Sequence, residues 1–328
     1  MALSLFILTS WFVCILTCYY VVRPISIKLV RFILTSFLCI LLSYITCQNL
    51  PRYNTLAIFT VVICWLMSIR LIALTSFSTK TLLTFQSFLL KILWICFPIL
   101  PKKTAQNQWP IIHSIILIII KLLINHWIYR WLIKCELGVS YQRIFMFYLS
   151  LTTISYVLDI EMIFVRILTR NKYTLESFTN FPIFSLSLRE FWGRRYNRIV
   201  HTALKESVFE PIRLEFSSPT IGALTSFIIS GLFHVHTWLV AFDDKSSLLP
   251  TFMFFFLHGI ACSIKTYMKI QLPEHVGWII TYTFLLITSP LVVRPFIEKG
   301  SPFLILNPTP FINVGWIPKL PLPNFFPR

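Results

Sequence analysis

The feature that most constrains this chain is a series of long apolar runs separated by short basic segments. Runs at 3–22, 32–47, 56–69, 111–131, 144–168, 220–242, 248–268 and 276–293 approach the roughly 20 apolar residues that a spanning helix requires. A further run, 82–100, has Lys91 at its middle and Pro98 near its end, which suits an interfacial or re-entrant segment. The expectation is an all-α, polytopic integral membrane protein with about eight or nine transmembrane helices. Composition supports this. Hydrophobic residues make up 56% of the chain, charged residues 12%, and mean hydropathy is +0.76. Soluble domains carry about 25% charged residues. A soluble fold has no means of covering so much apolar surface.

The charges sit between the runs. There are 29 Lys and Arg against 12 Asp and Glu, a formal net charge of +17. Cations in those positions meet lipid headgroups, so the membrane reading is preferred to a nucleic-acid partner. The eight cysteines fall mostly inside apolar runs and form no CxxC pair, so neither a disulfide framework nor a metal site is expected. The first run lacks a basic leader and ends in Arg23-Pro24, which favours a retained span over a removed signal peptide.

Composition shifts after the sixth span. Residues 1–169 read as N-terminal transmembrane helices. Residues 170–328 read as a second region of the same structural domain: a basic amphipathic loop and helix at 185–210, three more spans, and a proline-rich tail from Pro295. The basic 170–218 segment suggests a cytosolic side, and acidic Asp243-Asp244 the opposite one. The basic segments at 23–31 and 130–143 fall on the wrong side in a nine-span count, so orientation stays open.

Three segments carry chemistry. In 187–198, SLREFWGRRYNR, Ser187 is a candidate helix cap and Glu190, three residues on, completes a capping box. Phe191, Trp192, Ile199, Val200, Ala203 and Leu204 then lie toward one side, with Arg194, Arg195, Arg198 and Lys205 largely on others. That pattern fits an interfacial anchor as well as a binding edge. In 230–236, SGLFHVH, histidines lie inside an apolar span, where ionisable groups are costly and often functional. Ser230 and Gly231 equally suit close helix packing. In 254–259, FFFLHG, His258 is another intramembrane histidine.

Together these segments resemble the wax synthase branch of the membrane-bound O-acyltransferase superfamily. SLREFWGRRYN is similar to that branch's S-L-x-[DE]-F-W-G-R-R-W-[NH] signature. SGLFH is similar to its S-G-L-x-H signature, whose histidine is catalytic, and FFFLHG to a weaker third. The resemblance is specific over 185–259 and rests elsewhere on hydrophobic spans. Tyr196 stands where the family usually has Trp, and His236 follows the catalytic position where many members have Glu beside the histidine.

The resemblance implies a helical bundle enclosing a catalytic tunnel. Its reaction would transfer a fatty acyl group from acyl-CoA to a hydrophobic alcohol within the bilayer. His234 would be the general base, since neutral imidazole, with a pKa of about 6.5, suits that task. Asn197 would orient the base or donate to the thioester oxygen. Arg189, Trp192, Arg194, Arg195 and Arg198 would meet acyl-CoA, the arginines through its phosphates. His258, Tyr196 and His236 would line the cavity. No metal or bound cofactor is implied, acyl-CoA being a co-substrate. The implied setting is the endoplasmic reticulum membrane of a eukaryotic cell.

Other classes fit less well. Membrane desaturases need repeated histidine clusters, and intramembrane prenyltransferases need aspartate-rich boxes. The alternative of another class is a transporter or channel whose Asp159, Glu161 and His234 form an ion path. Pairing of the two acids with Lys121 or Arg166 is the preferred reading. His113, His126, His201 and His275 read as structural, although His201 shares a helix face with Asn197 at i, i+4.

Overall fold

A computed structural model of the protein describes residues 5–48, 50–52, 54–77, 83–101, 110–134, 155–268 and 273–298. Helix α1 (Leu5–Thr17) continues through a π turn, Cys18–Val22, and stops before Pro24, whose ring cannot extend a helix. Helices α2 (Lys28–Cys47) and α3 (Thr55–Ser76) follow. Run 82–100 is divided. It makes the short helix α4 (Phe85–Leu93), capped by the Thr84 hydroxyl, and then strand β1 (Ile99–Pro101). Helix α5 (Ile111–Lys134) and helix α6 (Tyr156–Leu168) lead to strand β2 (Tyr173–Leu175). The two strands pair antiparallel, with Ile99 opposite Leu175 and Pro101 opposite Tyr173.

By length and composition, five helices among the described residues are able to cross a membrane: Leu5–Val22, Lys28–Cys47, Ala57–Ser76, Pro219–Phe242 and Glu274–Arg294. Ile111–Trp127 and Leu248–Ile264 are shorter apolar helices. This is fewer than the eight or nine spans expected from the sequence. Lys91 and Pro98 confine the 82–100 run to a short helix, and residues 135–154, the start of the 144–168 run, lie outside the described residues. So does most of the proline-rich tail. Large apolar side chains such as Phe37 and Ile40 on α2 stand exposed, as a lipid-facing surface requires.

The 185–210 segment is not one amphipathic helix. A single helical turn, α7 (Leu188–Glu190), opens into a π turn, Phe191–Arg195. The chain breaks at Asn197, which is extended (φ −141°), because its side chain caps a new helix, α8 (Arg198–Leu204). A second π turn, Lys205–Phe209, leads into α9 (Glu210–Phe216). Ser218 caps α10 (Pro219–Phe242), whose proline sits in the first turn where no backbone donor is needed. Helices α11 (Leu248–Met268), α12 (Glu274–Thr288) and α13 (Pro290–Glu298) complete the described chain.

Helices α10 and α11 meet through their glycines. A Cβ on Gly259 would lie 2.9 Å from the Phe227 Cβ, and one on Gly231 would lie 3.0 Å from the Phe252 ring. Small residues let the backbones approach this closely. Trp238, Phe242, Phe254 and Phe255 then form a core with Ile58 of α3 and Val292 and Val293 of α13. A separate core, including Cys14, Cys39, Leu71 and Phe88, joins α1 to α4. Helix α12 holds the approach to α7: Trp278 Nε1 donates to the Ile183 carbonyl at 2.8 Å, and the Tyr282 hydroxyl donates to that of Pro182.

Candidate active site

A cavity of about 1410 Å³ lies between α3, the segment 187–209, α10 and α11. Its apolar wall includes Ile58, Val62 and Leu66, one stripe of α3 at i, i+4, i+8 spacing.

The first π turn is braced from outside. Ser187 Oγ accepts from the Glu190 backbone N–H at 3.1 Å, which is half of the expected capping box. The Glu190 carboxylate does not return to Ser187. It accepts from the Leu186 N–H at 2.8 Å and from Arg195 Nε at 2.6 Å. Burial pushes the Glu190 carboxyl pKa up, but the Leu186 N–H, paired Arg195 and nearby Arg194 outweigh it, and the net direction is down. Arg198 pairs with Glu176 at 2.5 Å and donates to Ser177 Oγ at 2.9 Å. Here burial raises the Glu176 pKa, against the opposing pull of Arg198. Backbone bonds from Asn180 N–H to the Arg195 carbonyl and from Arg198 N–H to that of Phe178 fasten the preceding loop to the turn.

The sequence-assigned donor-binding residues therefore occupy two environments. Arg189, Trp192 and Arg194 line the cavity, and the two arginines are exposed. Arg195 and Arg198 are held in carboxylate pairs and are not among the lining residues. Tyr196 lines the cavity and stacks on Phe191, with ring centroids 4.9 Å apart. Asn197 lines it as well. Its Oδ1 accepts from the Val200 N–H at 3.0 Å, so the oxygen serves the cap and the amide nitrogen is left for other contacts.

His234 comes to the same cavity from α10. Its ring stacks on Phe255 with centroids 4.1 Å apart, and its Nδ1 lies 2.7 Å from the Ser230 carbonyl oxygen. A carbonyl only accepts, so Nδ1 carries the hydrogen and, in the neutral ring, Nε2 presents a lone pair. His258 repeats this one helix away, Nδ1 donating to the Phe254 carbonyl at 2.7 Å. It is 0% exposed, is not a lining residue, and has a buried Nε2 without a hydrogen bond. Trp192 lies against it, edge to face, at 5.5 Å. His236 is turned elsewhere: its Nδ1 accepts from Trp65 Nε1 of α3 at 2.8 Å, and it too is not a lining residue.

Sequence reasoning gave little weight to two lining residues, His201 and Lys205. The i, i+4 relation of Asn197 to His201 is the signal that points to the histidine. Burial, then Lys205 and Arg198, depress the His201 pKa. Lys205 lies at the start of a π turn, for which the sequence has no plain mark. Of the intramembrane acids, Asp159 forms an ion pair with Lys121, which also donates to Ser155 Oγ at 2.9 Å.

Residues 175–257, which hold the first π turn, Asn197 and His234, match the model of the Membrane bound O-acyl transferase family. The class defined by this match is a membrane-bound acyltransferase. The chain is 26% identical over 307 residues to Putative long-chain-alcohol O-fatty-acyltransferase 10 of Arabidopsis thaliana, covering 87% of this chain and 86% of that protein. It is 28% identical over 306 residues to Probable long-chain-alcohol O-fatty-acyltransferase 2 of the same plant, covering 85% of each. A shorter match, 28% over 136 residues, covers 37% of this chain and 38% of Acyl-CoA--sterol O-acyltransferase 1, also from Arabidopsis thaliana. These likenesses support an acyltransferase, and the apolar helices an integral membrane protein.

Proposed function

We propose that this protein transfers a fatty acyl group from acyl-CoA to a hydrophobic alcohol, with His234 as general base. The observation that carries this reading is the His234 ring: it borders the cavity shared with Asn197 and Trp192 while its Nδ1–H is held by Ser230. The tautomer so fixed leaves Nε2 to act.

The alcohol O–H gives its proton to Nε2 as its oxygen attacks the thioester carbonyl carbon. The carbonyl oxygen becomes an oxyanion, toward which the Asn197 amide N–H group donates. Collapse of the tetrahedral intermediate breaks the carbon–sulfur bond. The leaving thiolate of coenzyme A takes the proton back from the imidazolium. An ester and free coenzyme A result, and His234 is again neutral. The apolar walls suit an acyl chain and a lipid-soluble acceptor, and the names of the similar Arabidopsis thaliana proteins support both substrate classes. We assign the enzyme to the endoplasmic reticulum membrane, with the 170–218 segment on the cytosolic side where acyl-CoA is found.

The test is lipid profiling of a host unable to make wax and sterol esters, expressing this chain or its His234→Ala form. New esters are expected only with the unaltered chain. Substantial ester formation by His234→Ala at equal abundance would overturn the assignment of the base.

A further inference from the structure

We propose that Arg70 is a positioning residue for the reaction: a buried guanidinium of α3 that anchors the far end of helix α8, whose near end presents Asn197 to the cavity. This rests on the acyl-transfer reading above, in which the Asn197 amide serves the oxyanion.

Arg70 lies within the apolar stretch Ala57–Ser76 and is 7% exposed. A cation in such a place is costly unless its donors are met. Three groups meet them. Nη1 pairs with the Glu206 carboxylate at 2.5 Å and donates to Ser207 Oγ at 3.5 Å, and Nε donates to the Lys91 carbonyl at 3.2 Å. Arg70 thus joins α3 to α4 and to the second π turn. It is not a lining residue of the cavity, so its part in the reaction passes through what it holds.

What it holds is α8. Glu206 and Ser207 belong to the π turn that continues this helix. Helix α8 has only seven residues, a length of about 10 Å. Its cap, Asn197, is therefore at one end and the tether just past the other. Between them, Ala203 and Val200 pack with Leu66 of α3 and with Ile95. Leu66 stands one turn before Arg70, at the end of the α3 stripe that walls the cavity. Apolar contact is non-directional, and alone it leaves a short helix free to slide or turn on that wall. A charge-assisted, hydrogen-bonded pair fixes both distance and direction. Apolar residues of similar volume often replace a buried ion pair without loss of stability. What this pair adds is the placement of α8, and with it of Asn197 relative to His234.

The experiment uses the full chain in phosphatidylcholine nanodiscs with palmitoyl-CoA and hexadecanol, and reads kcat and KM per folded molecule. Arg70→Met combined with Glu206→Gln removes both charges and leaves neither unpaired. It is expected to lower kcat about tenfold to a hundredfold and to move the palmitoyl-CoA KM less than about twofold. The same two changes placed in Asn197→Asp should lower kcat further by less than about twofold, because the contribution they disturb is already gone. Should the double change prevent folding, Arg70→Lys, which keeps the charge but not the planar fork, takes its place in the same two comparisons. An unchanged kcat would overturn the proposal. So would an equal fold loss in both backgrounds, the mark of a brace that does not serve Asn197. If instead Asn197→Asp keeps full kcat, or the unaltered protein forms no ester, the acyl-transfer reading itself has failed and this inference falls with it.

Discussion

His234 and His258 share one local geometry and differ in what surrounds them. Each gives its Nδ1–H to the carbonyl four residues earlier, so each has a free Nε2 lone pair. Only His234 borders the cavity, and His258 is sealed behind Trp192 and Phe254. Removing a general base costs about 10²–10⁴-fold in rate. His234→Ala should lose at least that much in kcat, whereas His258→Ala should lose less activity and more stability, since it empties a packed site. Equal losses in kcat per folded molecule would mean that the two histidines share the role. Asn197 poses a different problem, because its alanine variant would also lose a helix cap worth about 1 kcal/mol. Asn197→Asp keeps the accepting oxygen and removes the amide donor. It is expected to retain the unfolding temperature while lowering kcat more than it raises the donor KM. Full activity in this variant would reduce Asn197 to a cap. The motif residues were legible as letters, yet the division among the arginines was not. It depends on which of them meets Glu176, Glu190 or Glu206, and those contacts arise only when separated segments fold together.

Among the elements, the spans were the most legible and the segment between them the least. Run 220–242 became Pro219–Phe242 because its Ser-Pro start and its apolar continuity act locally. The 185–210 segment has helical periodicity throughout, but two π turns and the break at Asn197 redirect its side chains. Such turns shift every later residue around the axis, so a face drawn at a constant 3.6-residue period loses its register. Lys205, on the polar side by that period, is exposed and also lines the cavity. The α10–α11 contact offers a test of packing at this scale. A methyl group at position 259 would be 2.9 Å from the Phe227 Cβ, a backbone-anchored atom that a side-chain rotation does not move away. Gly259→Ala should therefore cost about 1–3 kcal/mol, as overpacked sites do. Thermal unfolding in detergent would read this as a lowered midpoint, and an unchanged midpoint would show that the helices separate freely.

For the whole molecule the question is which face of the bilayer carries the 170–218 segment. Counting spans does not decide it, because the basic segments at 23–31 and 130–143 alternate against the 170–218 segment in a nine-span chain. The geometry of one helix gives a firmer handle. Helix α10 has 24 residues and a rise of about 1.5 Å each, so its length is about 36 Å, enough to pass the hydrocarbon core of about 30 Å. A helix of this length that crosses the bilayer has its two ends on opposite faces. The N-terminal end follows Arg213 and Glu215 and joins the segment that carries Arg189, Arg194 and Lys205. The C-terminal end turns at Asp243, with φ of 49°, into an acidic pair followed by Lys245. On the function proposed above, a soluble acyl-CoA donor and the excess of Lys and Arg would both place the first end in the cytosol. Single cysteines at Ser217 and Lys245, both exposed, test this in sealed microsomes with a membrane-impermeant maleimide, against a background in which the native cysteines have been replaced. The label is expected on Ser217→Cys in intact vesicles and on Lys245→Cys only after permeabilisation. The reverse pattern would place the 170–218 segment in the lumen and exclude a cytosolic donor. Labelling of both sites in intact vesicles would mean that α10 does not cross the bilayer, and the route of the acyl chain along its His234 face would then have to be drawn anew.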